Sequence, residues 1–128
     1  VYDLMIAHAK VGYPNEACGI LAGPAGENGR VSQFFPMRNL DNSSISYFMD
    51  PKEQLKLFKR LREEGIEMNG IFHSHVASEA YPSQKDVRLA FYSEVSYLIV
   101  SLSDREKPVL KSFKIKDAAV THEEIQIV

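Results

Sequence analysis

The sequence predicts an α+β fold, a sandwich of helices around one largely antiparallel β-sheet. Three observations point there. Two stretches, at the N-terminus and around residues 51–64, carry apolar residues at helical spacing. Several short runs are β-branched and aromatic, the strongest being Val95-Ser-Tyr-Leu-Ile-Val-Ser-Leu102. Strands and helices also mix without strict βα alternation, which disfavours an all-parallel doubly wound sheet.

Tyr2–Val11 reads as an amphipathic helix with Leu4, Ala7 and Val11 on its apolar spacing, ended by Gly12-Tyr-Pro14. His8 is expected on its water-facing surface. Glu16 to Ala22 is a short strand closed by Gly23-Pro24, and Gly26-Glu-Asn-Gly29 is a turn suited to a hairpin. Arg30 to Met37 forms the second strand, with Pro36 marking an edge or a bulge. A polar loop, 38–44, precedes a third strand at Ser46–Met49.

The clearest helix follows. Asp50 is its cap, Pro51 its first residue, Glu53 completes a capping box, and Gly65 is placed as the C-terminal cap. Leu55, Phe58 and Leu61, with Leu57 beside them, form the expected buried stripe, while Lys52, Lys59, Arg62 and Glu63 face water. Met68-Asn-Gly then reads as a turn feeding a short apolar strand that ends at His73 and His75. A helix runs from Ser83 to about Tyr92. Val95–Leu102 is a central strand buried on both faces, Val109–Ile115 a return strand, and Val120–Val128 a last strand with Ile125 and Ile127 on one side and an exposed His122.

The composition bounds the function. The chain has 128 residues, 45% hydrophobic and 25% charged, enough for one compact core, so residues 1–128 are expected to be a single domain. A net charge of −2 gives no reason to expect nucleic acid or an anionic membrane as partner. No apolar run approaches the roughly 20 residues of a transmembrane helix. The N-terminus has none of the features of a signal peptide, and, lacking an initiator Met, is expected to be trimmed. One cysteine, Cys18, excludes an internal disulfide and fits a reducing, cytoplasmic setting.

The chemistry concentrates in His73-Ser-His-Val-Ala-Ser-Glu-Ala-Tyr-Pro-Ser-Gln-Lys-Asp86. In a strand, positions i and i+2 face one side, so His73 and His75 present both imidazoles together. Ser83 and Asp86 share a helix face at i, i+3. Two nitrogens and a carboxylate close three sides of a tetrahedron, and three protein ligands with a fourth place for water is how catalytic zinc is bound. A plainer reading stands beside it. Ser83-x-x-Asp86 is also a helix N-terminus signature, and two histidines in a strand can be an exposed polar pair.

Taken jointly, these residues resemble the JAMM (MPN-plus) zinc metalloproteases, whose signature is H-S/T-H, seven residues, S-x-x-D. His73, His75, Ser83 and Asp86 match it without a gap, and Pro82 stands where a proline often precedes the serine. The family's upstream glutamate is matched by Glu16 in Asn15-Glu-Ala-Cys-Gly-Ile-Leu-Ala-Gly23. The resemblance implies a curved, largely antiparallel sheet flanked by helices, the deaminase-like JAMM/MPN fold, over essentially the whole chain. It resembles the compact prokaryotic form of the family, since only about Ser93-Glu94 separates the site helix from the central strand and leaves little room for the insertions of the eukaryotic members. Val76 departs from the proline frequent after the second histidine, and Ala77-Ser-Glu-Ala80 is poorer in glycine and proline than usual.

The resemblance implies one Zn2+ on His73, His75 and Asp86, lowering the pKa of a water and polarising a carbonyl. Glu16 is the expected acid/base catalyst and Ser83 the expected donor to the oxyanion. Ser74 faces the other way and is expected to make a structural hydrogen bond. Cys18, two residues from Glu16, is expected to pack in the core rather than to bind metal. The expected function is peptidase or isopeptidase cleavage after the C-terminal Gly-Gly of a ubiquitin-like or sulfur-carrier protein. The alternatives are a non-catalytic MPN scaffold, whose relatives lose the ligands, and a zinc deaminase, which needs H-x-E and P-C-x-x-C motifs absent here. The scissile chain is expected to enter extended between the strand ending at His75 and a neighbouring edge, adding backbone hydrogen bonds to an exposed strand, walled by Val76–Tyr81 and by the segment around Phe48-Met49.

Overall fold

A computed structural model describes residues 1–27 and 29–127. Asn28 of the expected hairpin turn and Val128 of the expected last strand lie outside the described residues. The elements run α1 (Tyr2–Gly12), β1 (Cys18–Pro24), β2 (Gln33–Met37), α2 (Pro51–Glu64), β3 (Ile66–His75), α3 (Gln84–Arg88), β4 (Ser96–Ser101), β5 (Val109–Lys116) and β6 (Ala119–Glu123). The strands form a six-stranded sheet in the order β2-β1-β3-β4-β5-β6. Every neighbouring pair is antiparallel except β3 and β4, which run parallel with α3 in the crossover between them. The expected α+β architecture is therefore present, and Pro36 sits on β2 at the sheet's edge, where a missing N–H costs no ladder bond.

Alternation along the strands divides the core in two. Leu21, Phe72, Leu98 and Val100 face α1, where Met5 and Ala9 are the buried contacts. Cys18, Ile20 and Ala22 face α2 through Leu57 and Leu61. Further along the same side, Tyr97, Ile99, Phe113 and Ile115 gather with Ala80, Val87 and Ala90 around α3. His73 and His75, two and four residues beyond Ile71, emerge on the α2–α3 side. Gly19 allows the α1 side to close, because a Cβ there would come within 2.4 Å of the Phe34 ring, which packs edge-on against Phe72.

Several expectations are corrected. The first helix buries Met5 and Ala9, whereas Leu4 and Val11 are exposed at 58% and 85%, and Ala7 is also exposed. The small Ala9 lets the helix approach the sheet closely, which the bulkier stripe would prevent. His8 turns inward, its Nε2 at 3.0 Å from the Cys18 carbonyl and its ring edge-on to Phe34. In α2, Leu57 and Leu61 are the buried residues and Leu55 is 72% exposed. Asp50 caps this helix by accepting from the Lys52 N–H, and Gly65 ends it with φ 70°, but the reciprocal bond expected of Glu53 is not made among the described residues.

Met68-Asn-Gly70 is strand, not turn. The Asn69 amide donates to the Arg30 carbonyl, and β3 runs unbroken from Ile66, accommodated by a register shift at Leu21/Ala22 of β1. Ser46–Met49 is loop, tied by a single bridge between Asn39 and Met49. The site helix stops at Arg88, short of Tyr92, and Ile125 and Ile127 lie beyond β6 without strand pairing. Among the described residues no helix is long and apolar enough to cross a membrane.

The relocated face of α2 is testable by urea denaturation. Leu57→Ala is expected to lose roughly 2–5 kcal/mol, the usual cost of a core Leu truncation. Leu55→Ala is expected to stay within about 0.5 kcal/mol of the parent, as surface changes do.

Candidate active site

The pairing of β1 with β3 places the site. Cys18 stands opposite His73, and the chain just before β1 continues the register: Ser74 donates its N–H to the Ala17 carbonyl at 2.9 Å. The Ser74 hydroxyl, fully buried, accepts from the Ala17 N–H at 2.8 Å, the structural bond expected of it. One further step along this register sets Glu16 opposite His75. On the other flank, His75 pairs with Ser101 of β4 and its carbonyl accepts from the Leu102 N–H.

At the end of β3 three ligand-type atoms meet. His73 Nε2 and His75 Nε2 are 3.1 Å apart, and Asp86 Oδ2 lies 3.1 Å from the first and 3.0 Å from the second. Among the described residues these form a group of side chains able to hold a metal ion. Atoms held tetrahedrally at roughly 2.0–2.1 Å from zinc are about 3.3 Å apart, so this triangle fits such an ion with little adjustment. His75 Nδ1 donates to the Glu79 carbonyl at 2.8 Å, which leaves its Nε2 lone pair facing the group. His73 Nδ1 is buried and finds no hydrogen-bond partner among the described residues. Its ring is instead held by stacking on Tyr47, with centroids 4.6 Å apart and planes at 23°.

Asp86 arrives through a helix start. The Ser83 hydroxyl accepts from the Asp86 N–H at 3.1 Å, and the Ser83 N–H donates to Asp86 Oδ2 at 2.9 Å, a complete capping box. The capping bond and the approach to the histidines are thus both made by Asp86, through the same Oδ2. The Ser83 hydroxyl caps as an acceptor and keeps its own hydrogen available. Burial opposes ionisation of Asp86, but the bonds from His73, His75 and the Ser83 N–H outweigh it and hold the carboxyl well below the usual carboxylate range. Burial lowers the pKa of His73. Burial also acts to lower His75, yet the bonds to Asp86 and to the Glu79 carbonyl leave it raised overall.

Glu16 is 7% exposed, and burial raises its pKa to about 7, offset in part by His75. Its backbone is clamped, the N–H donating to the Ser43 carbonyl and the C=O accepting from the Asn39 side chain. Cys18 is buried in the α2 cluster, its thiol pushed up to about 12 by burial, and it lies outside the His–His–Asp group.

The structure therefore brings together His73, His75 and Asp86, with Ser83 beside them and Glu16 across the strand. It corrects the expected walls: Met49 is core, and Tyr47 is the member of that segment that touches the site. It also removes the expected free edge, because β3 is paired on both sides at His73. Tyr47 and Asn39 escaped the sequence reading, as neither belongs to any local pattern of metal or acid/base residues.

Comparison with known proteins agrees with this architecture. Residues 1–116 match the family model of prokaryotic homologues of the JAB domain, Prok-JAB. The CysO-cysteine peptidase of Mycobacterium tuberculosis is 42% identical over 126 residues, covering 98% of this chain and 86% of that protein. The desampylase of Pyrococcus furiosus is 37% identical over 105 residues, covering 82% and 73%. A solution structure from Desulfitobacterium hafniense, 48% identical, superposes with a TM-score of 0.87 over 98% of this chain and 86% of the other. A JAB1/MPN domain protein from Archaeoglobus fulgidus, 17% identical, shares the fold with a TM-score of 0.62 over 98% and 92%. The chain belongs to the Prok-JAB family. Within that class it is a hydrolase of the JAMM type, in its compact prokaryotic form.

The raised pKa of Glu16 has a stability consequence in metal-free protein. A carboxyl harder to ionise when folded destabilises the fold as pH climbs from 4.5 to about 7. Removing the charge in Glu16→Gln is expected to leave stability unchanged at pH 4. At pH 8 it is expected to raise stability by up to roughly 3 kcal/mol, from 1.36 kcal/mol per unit. Urea denaturation at the two pH values in the presence of a chelator measures this.

Proposed function

We propose that residues 1–128 form one zinc-dependent peptidase or isopeptidase unit that cleaves after the Gly-Gly end of a ubiquitin-like or sulfur-carrier protein. The observation that carries this reading is the 3.0–3.1 Å triangle of His73 Nε2, His75 Nε2 and Asp86 Oδ2 across the sheet register from a carboxyl with a pKa near 7. Those three atoms would hold Zn2+, which when bound supplies a Lewis acid that polarises the scissile carbonyl and acidifies a water.

The chain's own residues do the rest. Glu16 takes the proton from the attacking water and returns it to the leaving amine, and a pKa of about 7 suits it to both transfers near neutral pH. Ser83, with its hydrogen free, donates to the oxyanion of the tetrahedral intermediate. The scissile chain lies over the end of β3, between the 76–82 loop and the 38–50 loop. The names of the relatives, one a peptidase for CysO-cysteine and one a desampylase, support a small carrier protein as substrate. Glycine has no Cβ and permits close backbone approach to the His73–His75–Asp86 group, which is the reason for proposing Gly-Gly before the cut.

Two measurements test the reading. By elemental analysis the protein is expected to hold one zinc per chain, lost in His75→Ala and kept in Glu16→Gln. Full zinc in His75→Ala would overturn the ligand assignment. By mass spectrometry, zinc-loaded protein is expected to cut a fusion whose carrier domain ends in Gly-Gly, and to fail when either glycine becomes Ala or Val. Glu16→Gln is expected to cut it roughly 10²–10⁴ times more slowly. Equal cutting of Gly-Gly and Ala-Ala fusions would refute the substrate.

A further inference from the structure

The loop from Arg38 to Asp50 crosses the site without regular structure, and one side chain organises it. Asn39 makes four hydrogen bonds, using the full donor capacity of its amide and both lone pairs of its oxygen. Its Nδ2 donates to the Glu16 carbonyl at 3.0 Å and to the Ser46 carbonyl at 3.0 Å. Its Oδ1 accepts from the Asp41 N–H and the Phe48 N–H, each at 3.0 Å. Two of these partners, Ser46 and Phe48, flank Tyr47, the residue stacked on His73. A third is the backbone of Glu16.

We propose that Asn39 is a positioning residue that fixes Glu16 and His73 relative to one another, through the Glu16 carbonyl on one side and the Tyr47 ring on the other. This rests on the zinc peptidase reading given above. Among the described residues, of the two imidazoles only His75 has a hydrogen bond on its second nitrogen. A metal-ligating histidine ordinarily has its ring orientation set by such a bond. For His73 the packing of Tyr47 takes that place, and Asn39 sets Tyr47 by gripping the backbone on both sides of it. The same amide nitrogen holds the acid/base carboxylate's backbone, so one group sets the separation between proton carrier and ligand. Small errors in such a separation cost rate steeply.

The test is Asn39→Asp, which keeps the shape and the acceptor oxygen for Asp41 and Phe48 but cannot donate to Glu16 and Ser46 when ionised. Two readouts are taken. The first is the chemical shifts of the His73 ring protons in the chelator-treated protein, which report the Tyr47 ring current and need no activity. The second is kcat and KM on the Gly-Gly fusion. Asn39→Asp is expected to move the His73 shifts in the direction seen in Tyr47→Leu, and to lower kcat at least tenfold with KM changed less than threefold. Arg60→Ala, which removes an exposed ion pair to Glu64 on α2, is expected to leave both readouts at parental values. Parental His73 shifts together with parental kcat in Asn39→Asp would overturn the proposal. If Asn39→Asp does not fold, Tyr47→Leu decides by the same shifts and by kcat, and a parental kcat there overturns it equally. Failure of the peptidase reading is separate, because parental protein would then leave the fusion uncut while the shifts still report on Asn39.

Discussion

The pairing of Ala17 with Ser74 is the contact on which the site depends. Two backbone strands can slide by whole residues at little local cost, and a slip by one would turn every side chain to the other face. Here Ser74 donates from its N–H to the Ala17 carbonyl and accepts on its hydroxyl from the Ala17 N–H, so both polar groups of Ala17 are held by one residue. Ser74 is fully buried, which leaves these groups no water as a substitute, and an unmade buried bond is costly. With that register fixed, Cys18 faces His73 and Glu16 can only face His75. The serine between the histidines therefore sets where the proposed acid/base carboxylate stands without joining the proposed ligand group itself.

The second constraint is electrostatic. Two buried imidazoles and a carboxylate share a space of about 3 Å, an arrangement stable only when a cation, a proton or a metal, lies among them. Asp86 meets this need by being prepared as an anion: the start of α3 directs the Ser83 N–H at the same Oδ2 that faces the histidines. At five residues α3 is too short to contribute much helical stability of its own, and its evident task is to present Asp86. Glu16 is treated in the opposite sense. No side-chain hydrogen bond compensates its burial among the described residues, so the surroundings favour the neutral acid over the carboxylate. The burial that places its pKa near neutrality also costs stability once it ionises, a trade that suits the proton transfers proposed for it.

Much of this was legible in sequence because it is encoded locally. Asp50-Pro51 and Gly65 mark the ends of α2 by their own backbone preferences, and Ser83-x-x-Asp86 carries both the cap and the proposed ligand within one turn. Helix faces were less legible. Periodicity selects the most apolar stripe of an isolated helix, and in α1 that stripe held Leu4 and Val11. The sheet selects by fit, and Ala9, fully buried, allows an approach that those larger side chains do not. The reading of Met68-Asn-Gly70 as a turn failed for a related reason. Asn69 donates its amide N–H to the Arg30 carbonyl, and Gly70 leaves space that Leu21 and Leu98 fill, so turn-forming residues are consumed by contacts within a strand.

The residues that orient the site are a different class from those that form it. A ligand set has to be of a few chemical types, so His73, His75 and Asp86 stand out as candidates by composition and spacing. Asn39 and Tyr47 are ordinary residues in a polar loop, and their significance arises only when the chain brings that loop back across β1 and β3. An asparagine in a turn is expected to bond its own neighbours, and Asn39 does so with Asp41. Its bond to the Glu16 carbonyl has no local signature at all. A catalytic constellation can therefore be recognised from a short motif, while the precision with which it is held is written in contacts that only the folded chain contains.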